Sequence, residues 1–481
     1  MRYAPAAALI LAAATTALAA PPFTMTILVR EGDLTEIGAI TSVDNVMVNN
    51  SGHWLVECDT NNANTAADGI IIRGGAIAYQ QGTILPPPAN GVIGISSFDD
   101  LVLNNNGDSG WNWFLSGATT STDSGIFFND RLLIQEGTHS TATGFSPSTP
   151  YIGWFGCKMN DANQILMVAS VDDPALASTV DRALVRVDYN SSTQTFTETV
   201  LAKEGEAVGA STIADFSTDA AAFAWNQSGT PMYCAELVAS TTDALFVGST
   251  IVAQELQPSP IAGRTWEILN DRPLDLNNSG AWVVRGNLTG DTIDDEVIVK
   301  GDGTVVAREG QAVPAALGPW AFTGFGSAPV QMDDSGNVVW YGDWNDPSTN
   351  VDNGLFWNGD LLIQDGVTVV DGQTVTTVRG IADGFAMSDN GRYLIVRVVL
   401  GTSTDAAVLI SFCPGNQCGP QDFNGDGDAG TDQDIEAFFA CLGGNCCPTC
   451  FCQGSDFNGD GDIGTDQDIE AFFRVLGGSP C

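Results

Sequence analysis

One short turn is written seven times along this chain, and no other feature narrows the fold so far. It begins at Asn49, Asn104, Asn160, Asn226, Asn277, Asp333 and Ser388, reads Asn-x-x-Gly or a close variant, and feeds an apolar strand each time. Upstream of each copy stands a companion turn, at Glu31-Gly32, Gln81-Gly82, Glu136-Gly137, Glu204-Gly205, Glu255-Leu256, Glu309-Gly310 and Asp365-Gly366. Before most of these lies an apolar strand opening on a small or acidic residue, such as the runs starting at Asp68, Ser124, Asp243 and Asn353. The unit is therefore four short strands with a period of about fifty-five residues, which is the signature of β-propeller blades. A tight hairpin needs positive φ, which Gly takes freely and Asn tolerates; Asn163, standing where other copies have Gly, fits that need.

One unit is split across the ends. The strand from Asp405 has nothing after it within the repeats, and the strand from Phe23 begins mid-unit before the first companion turn. Paired, they complete a seventh blade and leave no free sheet edge. A β-solenoid or a pair of β-sandwiches gives no reason for such a split.

Composition restricts the partners. The chain has 481 residues and carries 58 acids against 17 bases, for a formal charge of −41. Such a surface repels phosphate backbones, which disfavours nucleic acid and anionic membrane and favours calcium and saline solvent. Residues 1–19 have a basic start, a short Ala/Leu/Ile run and the ending Ala17-Leu18-Ala19, the pattern of a secretory leader cleaved after Ala19. No later run is long enough to span a bilayer, so a secreted, extracellular or surface-associated protein without membrane insertion is expected. Cys58, Cys157 and Cys234 are scattered, whereas the other eight of the eleven cysteines crowd the end, which reads as disulfides in an exported protein. The odd total leaves at least one thiol free or paired between chains. Cys447 and Cys450 also have a zinc or redox spacing, but no histidine lies nearby.

The tandem pattern over residues 23–412 resembles a family of exported bacterial repeat proteins described by an NxxGxxxF repeat. That resemblance implies architecture and export, and no activity. Asp334-Ser335-Gly336 and Asp389-Asn390-Gly391 also resemble the core of the sialidase Asp box, a hairpin between the last two strands of a blade, although Met332 and Met387 replace its Ser or Thr.

Catalytic constellations are sparse. With only His53 and His139 present, a Ser-His-Asp triad or a histidine metal site is disfavoured. The repeated acids Glu31, Glu136, Glu204, Glu309 and Asp365 can ring one end of a channel, and paired carboxylates can hydrolyse glycosides. An acid recurring in every unit marks a structural rule, however, whereas catalysis needs one asymmetric pair. Most tryptophans read as core; Trp320 and Trp344 fall in loops, where an exposed indole can stack on a sugar.

Beyond a linker at 413–421, residues 422–481 hold two nearly identical segments. Each opens Asp-x-Asn-x-Asp-Gly, with alternate hard oxygen donors Asp422, Asn424, Asp426 and Asp428, then Asp456, Asn458, Asp460 and Asp462, and with Gly427 or Gly461 at the sharp turn. An apolar stripe at helical spacing follows, ending in Gly-Gly. Thr431 and Thr465 read as helix N-caps, so a loop one residue longer than usual is expected, closed by Asp434 and Asp468, with Asp432 and Asp466 turned to solvent. Two calcium ions are expected. The pair resembles a dockerin of the Cys-containing, Gly-Gly-ending kind found in planctomycete-like secreted proteins; the resemblance implies docking on a cohesin-like module or another surface receptor, although the Cys-rich insert departs from cellulosomal dockerins.

The expectation is an all-β, seven-bladed propeller over 20–412, followed by a small α-helical, calcium-binding, dockerin-like domain. Its function is read as binding a glycan or protein ligand in an extracellular assembly; the alternative is a dockerin-anchored polysaccharide-degrading enzyme.

Overall fold

The computed structural model describes residues 23–85, 94–412, 419–426, 428–447, 451, 454–458 and 463–478. The leader read over 1–19, the ligands Asp460 and Asp462, the glycines Gly427 and Gly461, and Cys413, Cys418, Cys450, Cys452 and Cys481 lie outside the described residues. Strands pair into seven antiparallel sheets. Blade 1 is typical: Ile40–Val48, Trp54–Thr60, Gly69–Arg73 and Ala76–Gln80 pair in sequence order. Blades 2 to 6 follow over 94–135, 151–203, 211–254, 266–308 and 322–364. Blade 7 closes the circle: Phe23–Arg30 lies antiparallel to Thr404–Phe412, with Phe23 opposite Phe412 and Arg30 opposite Ala406.

Seven apolar clusters fill the seven gaps between neighbouring blades. One joins blades 7 and 1 through Val29, Ala407, Val43 and Ile70, and another joins blades 6 and 7 through Leu355, Val396 and Val408. Every sheet is thus buried on both faces. That is why the third strands read as unbroken runs, such as Ile70-Ile71-Ile72 and Ile126-Phe127-Phe128, rather than alternating.

The first strands of adjoining blades pack against each other, so they line the axis. The repeated turns join first to second strands and sit at one end of that axis, which we call the turn face. The companion turns link one blade to the next at the other end, the loop face. The Asp-box position, between the last two strands, is therefore not where these turns lie. The glycine slots are left-handed, from Gly52 (φ 77°) to Gly391 (φ 68°), and Asn163 takes φ 57°. The leading Asn is not left-handed, and its role is hydrogen bonding. Asn277 Oδ1 accepts from the Ser279 and Ala281 amides at 3.1 and 2.9 Å, closing its own turn, while Nδ2 donates to the Asp333 carbonyl of blade 6 at 2.9 Å. Asn49 does the same toward Asn104, and Asn226 toward Asn277.

The second residue of each turn, joined in the seventh by the third residue Asn390, completes a circle. The Asn50 amide donates to Asn105 Oδ1, Asn105 to Asp161 Oδ1, Asp161 to Gln227 Oε1, Gln227 to Asn278 Oδ1 and Asn278 to Asp334 Oδ1, over 2.7–3.1 Å. Asp334 donates to the Asp389 carbonyl, and Asn390 to Asn50 Oδ1. Seven surface turns are tied end to end.

The companion-turn acids do not reach the cavity on the axis, contrary to the expected ring. Each clips the start of a third strand instead: Glu204 Oε1 accepts from the Arg182 amide at 2.8 Å, Glu255 Oε2 from Asp243 at 3.2 Å, and Gln81 Oε1 from Gly69 at 3.2 Å. Gln81 does this without charge. Burial first, together with nearby acids, pushes Glu204, Glu309 and Asp365 up to about 7. Between the unfolded carboxylate range near pH 4 and that value, the folded chain keeps protons that the unfolded chain has lost. Stability from these groups therefore falls as pH rises through that window. Calorimetry should give a higher melting temperature at pH 5 than at pH 8, and Glu204→Gln should narrow the difference.

After 412, helix α1 (Asp432–Leu442) and helix α2 (Asp466–Leu476) pack around Phe423, Phe438, Phe457 and Phe472. Cys441 bonds to Cys446, and Cys447 is also disulfide-bonded, which removes it as a zinc thiolate. Among the described residues, Cys58, Cys157 and Cys234 are free and buried. Among the described residues, no helix is long and apolar enough to cross a membrane.

Candidate functional site

A cavity of 210 Å³ lies on the axis, walled by first strands from all seven blades. The position two residues before each repeated turn contributes one complete ring: Met47, Val102, Lys158, Ala224, Asp275, Gln331 and Ala386. Four members are apolar and three polar, so the seven-fold pattern is broken on one side. Asp275 accepts from the Leu276 amide at 2.8 Å and the Met332 amide of blade 6 at 2.7 Å; Gln331 Oε1 accepts from the Met387 amide of blade 7 at 2.7 Å. Lys158 Nζ stands 5.3 Å from the centre of the Phe223 ring of blade 4.

The turn circle makes the floor. Asp389 Oδ2 accepts from Gln227 Nε2 at 3.1 Å and Asn278 Nδ2 at 3.5 Å, so a side chain of blade 7 reaches blades 4 and 5 across the axis. The cavity is a cup, open toward the loop face. Halfway up, every first strand is interrupted, by bulges in blades 1 to 3 and by a full break in blades 4 to 7. Those interruptions place Asp100 and Asp383 on the cavity lining, with Asp99 and Asp219 near enough to act on them electrostatically. Asp100 Oδ2 accepts from the Cys157 amide at 2.6 Å, and Asn112 Nδ2 donates to Asp99 Oδ2 at 3.1 Å. Burial, then Asp100 and Asp383, push Asp99 up to about 6. Burial likewise raises Asp275 to about 6, against the pull of its two amide donors. Glu57, raised by burial and by Asp44 and Asp59 to about 8, lies behind the wall on a second strand and does not line the cup.

Trp344 and Trp320 do sit at the same end of blade 6, but Trp344 is 1% exposed and packs edge-on to Phe356 at 6.0 Å. It is a core residue with no face left for a sugar. Trp320 is half-buried against the cluster between blades 5 and 6. The cup residues were missed in the sequence. Their signal is that Lys158, Asp275 and Gln331 are polar where the other four blades are apolar.

In the tail, Thr431 and Thr465 cap their helices in capping boxes with Asp434 and Asp468. Asp434 is buried: Oδ1 accepts from the Phe423 and Asn424 amides at 2.8 and 3.2 Å, and Oδ2 from the Thr431 amide at 2.8 Å. Asp468 is buried in the same way, its Oδ1 accepting from Asn458 at 3.2 Å, while Asp432 and Asp466 face solvent. Within the first loop, Asp422 Oδ1 accepts from the Gly425 and Asp426 amides at 2.8 and 3.1 Å, and the Asp428 amide donates to Asp426 Oδ1 at 2.9 Å.

No protein-family model matches the chain, and no curated protein does. Among solved structures, the chain is similar to the neuraminidase-like N11 protein of an influenza virus from a flat-faced bat in Peru, with 8% identity, TM-score 0.32, and coverage of 82% of this chain and 94% of that one. It is also similar to PorZ, a bacterial surface component of the type-IX secretion system of Porphyromonas gingivalis, with 10% identity, TM-score 0.39 and coverage of 79% of this chain but only 48% of PorZ. For a Trypanosoma rangeli sialidase the values are 9%, 0.31, and 82% and 60%.

Proposed function

We propose that the chain is an exported binding or scaffold protein whose propeller takes a glycan or protein ligand at the loop face and whose tail attaches it to an extracellular assembly. The observation that carries this reading is the asymmetric cup on the axis, floored by the turn circle, in which Lys158, Asp275 and Gln331 are the polar members of an otherwise apolar ring. Such a polar set orients a polar group of a ligand. The acids that recur in the blades are occupied in clipping strands, which weighs against the polysaccharide-degrading alternative. Trp320 remains the stacking residue for a glycan.

In the tail, the donors Asp422, Asn424, Asp426, Asp428 and Asp434 are hard oxygens on one loop, with the closing carboxylate facing back to the loop start, which fits calcium. Asp456, Asn458 and Asp468 match them in the second loop, with Asp460 and Asp462 expected to complete that set. Calcium there neutralises crowded carboxylates and orders both helices for a cohesin-like module or another surface receptor.

Two experiments test the reading. Full-length protein passed over immobilised polysaccharides and candidate protein ligands should be retained without releasing new reducing ends; cleavage would favour the enzyme. In calcium titrations of the full chain, Asp434→Asn with Asp468→Asn should lower affinity at least about tenfold, as loss of a closing carboxylate does, while Asp432→Asn with Asp466→Asn should leave it unchanged. The reverse result would refute the closing assignment.

A further inference from the structure

Exposed aliphatic side chains are distributed unevenly over the propeller. Among the described residues of the propeller, the seven that are more than half exposed all lie on the loop face: Leu34, Ile84, Leu256, Val367 and Val369 on the companion turns, and Val238 and Ile293 between second and third strands. Scattered apolar residues need no explanation, but confinement to one face does. Leu256 adds a second observation. It holds φ 64° in the slot where the other six companion turns carry Gly, and its side chain is 64% exposed. A branched residue in the left-handed region is strained, and nothing in the fold is packed in return.

The charge on this face selects the occupant. Arg30, Arg182, Lys203, Arg264, Arg308 and Arg379 each already pair with a carboxylate. Asp99, Asp219 and Asp383 have no cation within 4 Å among the described residues; Arg397 and Lys158 act on Asp383 from farther off, and with Asp100 the four acids outnumber these two cations, so the mouth keeps a negative excess. A second copy of this acidic chain, its own acidic tail or an anionic lipid would be repelled. A neutral glycan finds aliphatic tips around a single half-buried indole, Trp320, since Trp344 is buried, and so has little flat aromatic surface to stack on.

We infer that the loop face docks a cationic polypeptide, its apolar side chains meeting the aliphatic tips and one Lys or Arg side chain entering the cup between Asp383 and Asp219. The cup volume of 210 Å³ has room for one such chain. This inference rests on the binding reading above and decides between its two ligand classes.

The test is fluorescence anisotropy of labelled alternating Lys–Leu, Lys–Ser and Glu–Leu peptides with the full-length protein at physiological ionic strength. Lys–Leu should bind more tightly than both others. Leu34→Ser with Leu256→Gly and Ile293→Ser, which changes no charge, should weaken it by about tenfold, as removal of central anchors does. Asp383→Asn should weaken it further. The turn-face controls Ile251→Ser and Asp130→Asn should bind like the parent, and Leu256→Gly alone should melt at a higher temperature. Equal binding of Lys–Leu and Lys–Ser, unaffected binding by the triple variant, or no peptide binding would overturn the inference. Polysaccharide retention that survives the triple variant would overturn it while leaving the binding reading intact; turnover would instead remove that reading.

Discussion

A chain lacking Phe23–Arg30 is expected to lose cooperative unfolding. That strand fills the outer position of blade 7 and places Val29, Ile27, Met25 and Phe23 against the clusters on either side of the blade. A fully buried side chain of this kind contributes about 1.5–3 kcal/mol; Val29 is buried and Phe23, Met25 and Ile27 are half-buried, so the four together contribute roughly 4–7 kcal/mol, a large share of the net stability of about 5–15 kcal/mol of a typical protein. Freed chain entropy offsets part of this, but the Thr404–Phe412 strand becomes a long unpaired edge. Melting followed by both calorimetry and circular dichroism should show a broad, lowered transition and a tendency to associate. An unchanged, sharp transition would mean that the ring is not closed by this strand.

Asn277→Ala should be the most damaging single substitution in the turns. The side chain is 5% exposed and accepts from two amides of its own turn while donating to the next blade. Its removal leaves the buried Asp333 carbonyl without its donor and frees two part-exposed turn amides, so a loss of roughly 2–3 kcal/mol in chemical denaturation is expected. Asn277→Asp keeps the two acceptor bonds and loses only the donor, turning a carboxylate toward the Asp333 carbonyl. It should cost about half as much. If Asp is tolerated as well as Asn, the amide nitrogen has no role between blades.

Much of this architecture was legible because a repeat exposes its own grammar. The count of seven, the split blade and the left-handed Asn163 all follow from comparing copies. So does the direction of Asp434 and Asp468, which helix-capping chemistry turns back toward the loop. The blade boundary was not legible in the same way, since a cyclic pattern of strand and turn has no marked start. Only the packing of first strands around the axis shows that companion turns lie between blades. The role of the leading Asn was half visible: its turn chemistry is local, whereas its donation to the next blade is a contact some fifty residues away. Trp344 was misread as a loop residue: it is the last residue of the strand Val338–Trp344, opposite Phe322, and its side chain packs into the gap between blades 5 and 6. Lys158, Asp275 and Gln331 were available as departures from the repeat, but nothing in one strand shows that its polar side chain meets a cavity instead of solvent.

Native-state amide hydrogen exchange on the free full-length protein tests the central claim, that the repeated turns form one closed circle sealing an end of the axis. The amides of Asn50, Asn105, Asp161, Gln227, Asn278, Asp334 and Asn390 belong to short surface turns and would ordinarily exchange quickly. The account predicts that all seven exchange only through global unfolding, as slowly as the core strand amides of Val284 or Val396. Exchange as fast as that of the companion-turn amides, at any three or more of the seven, would contradict it.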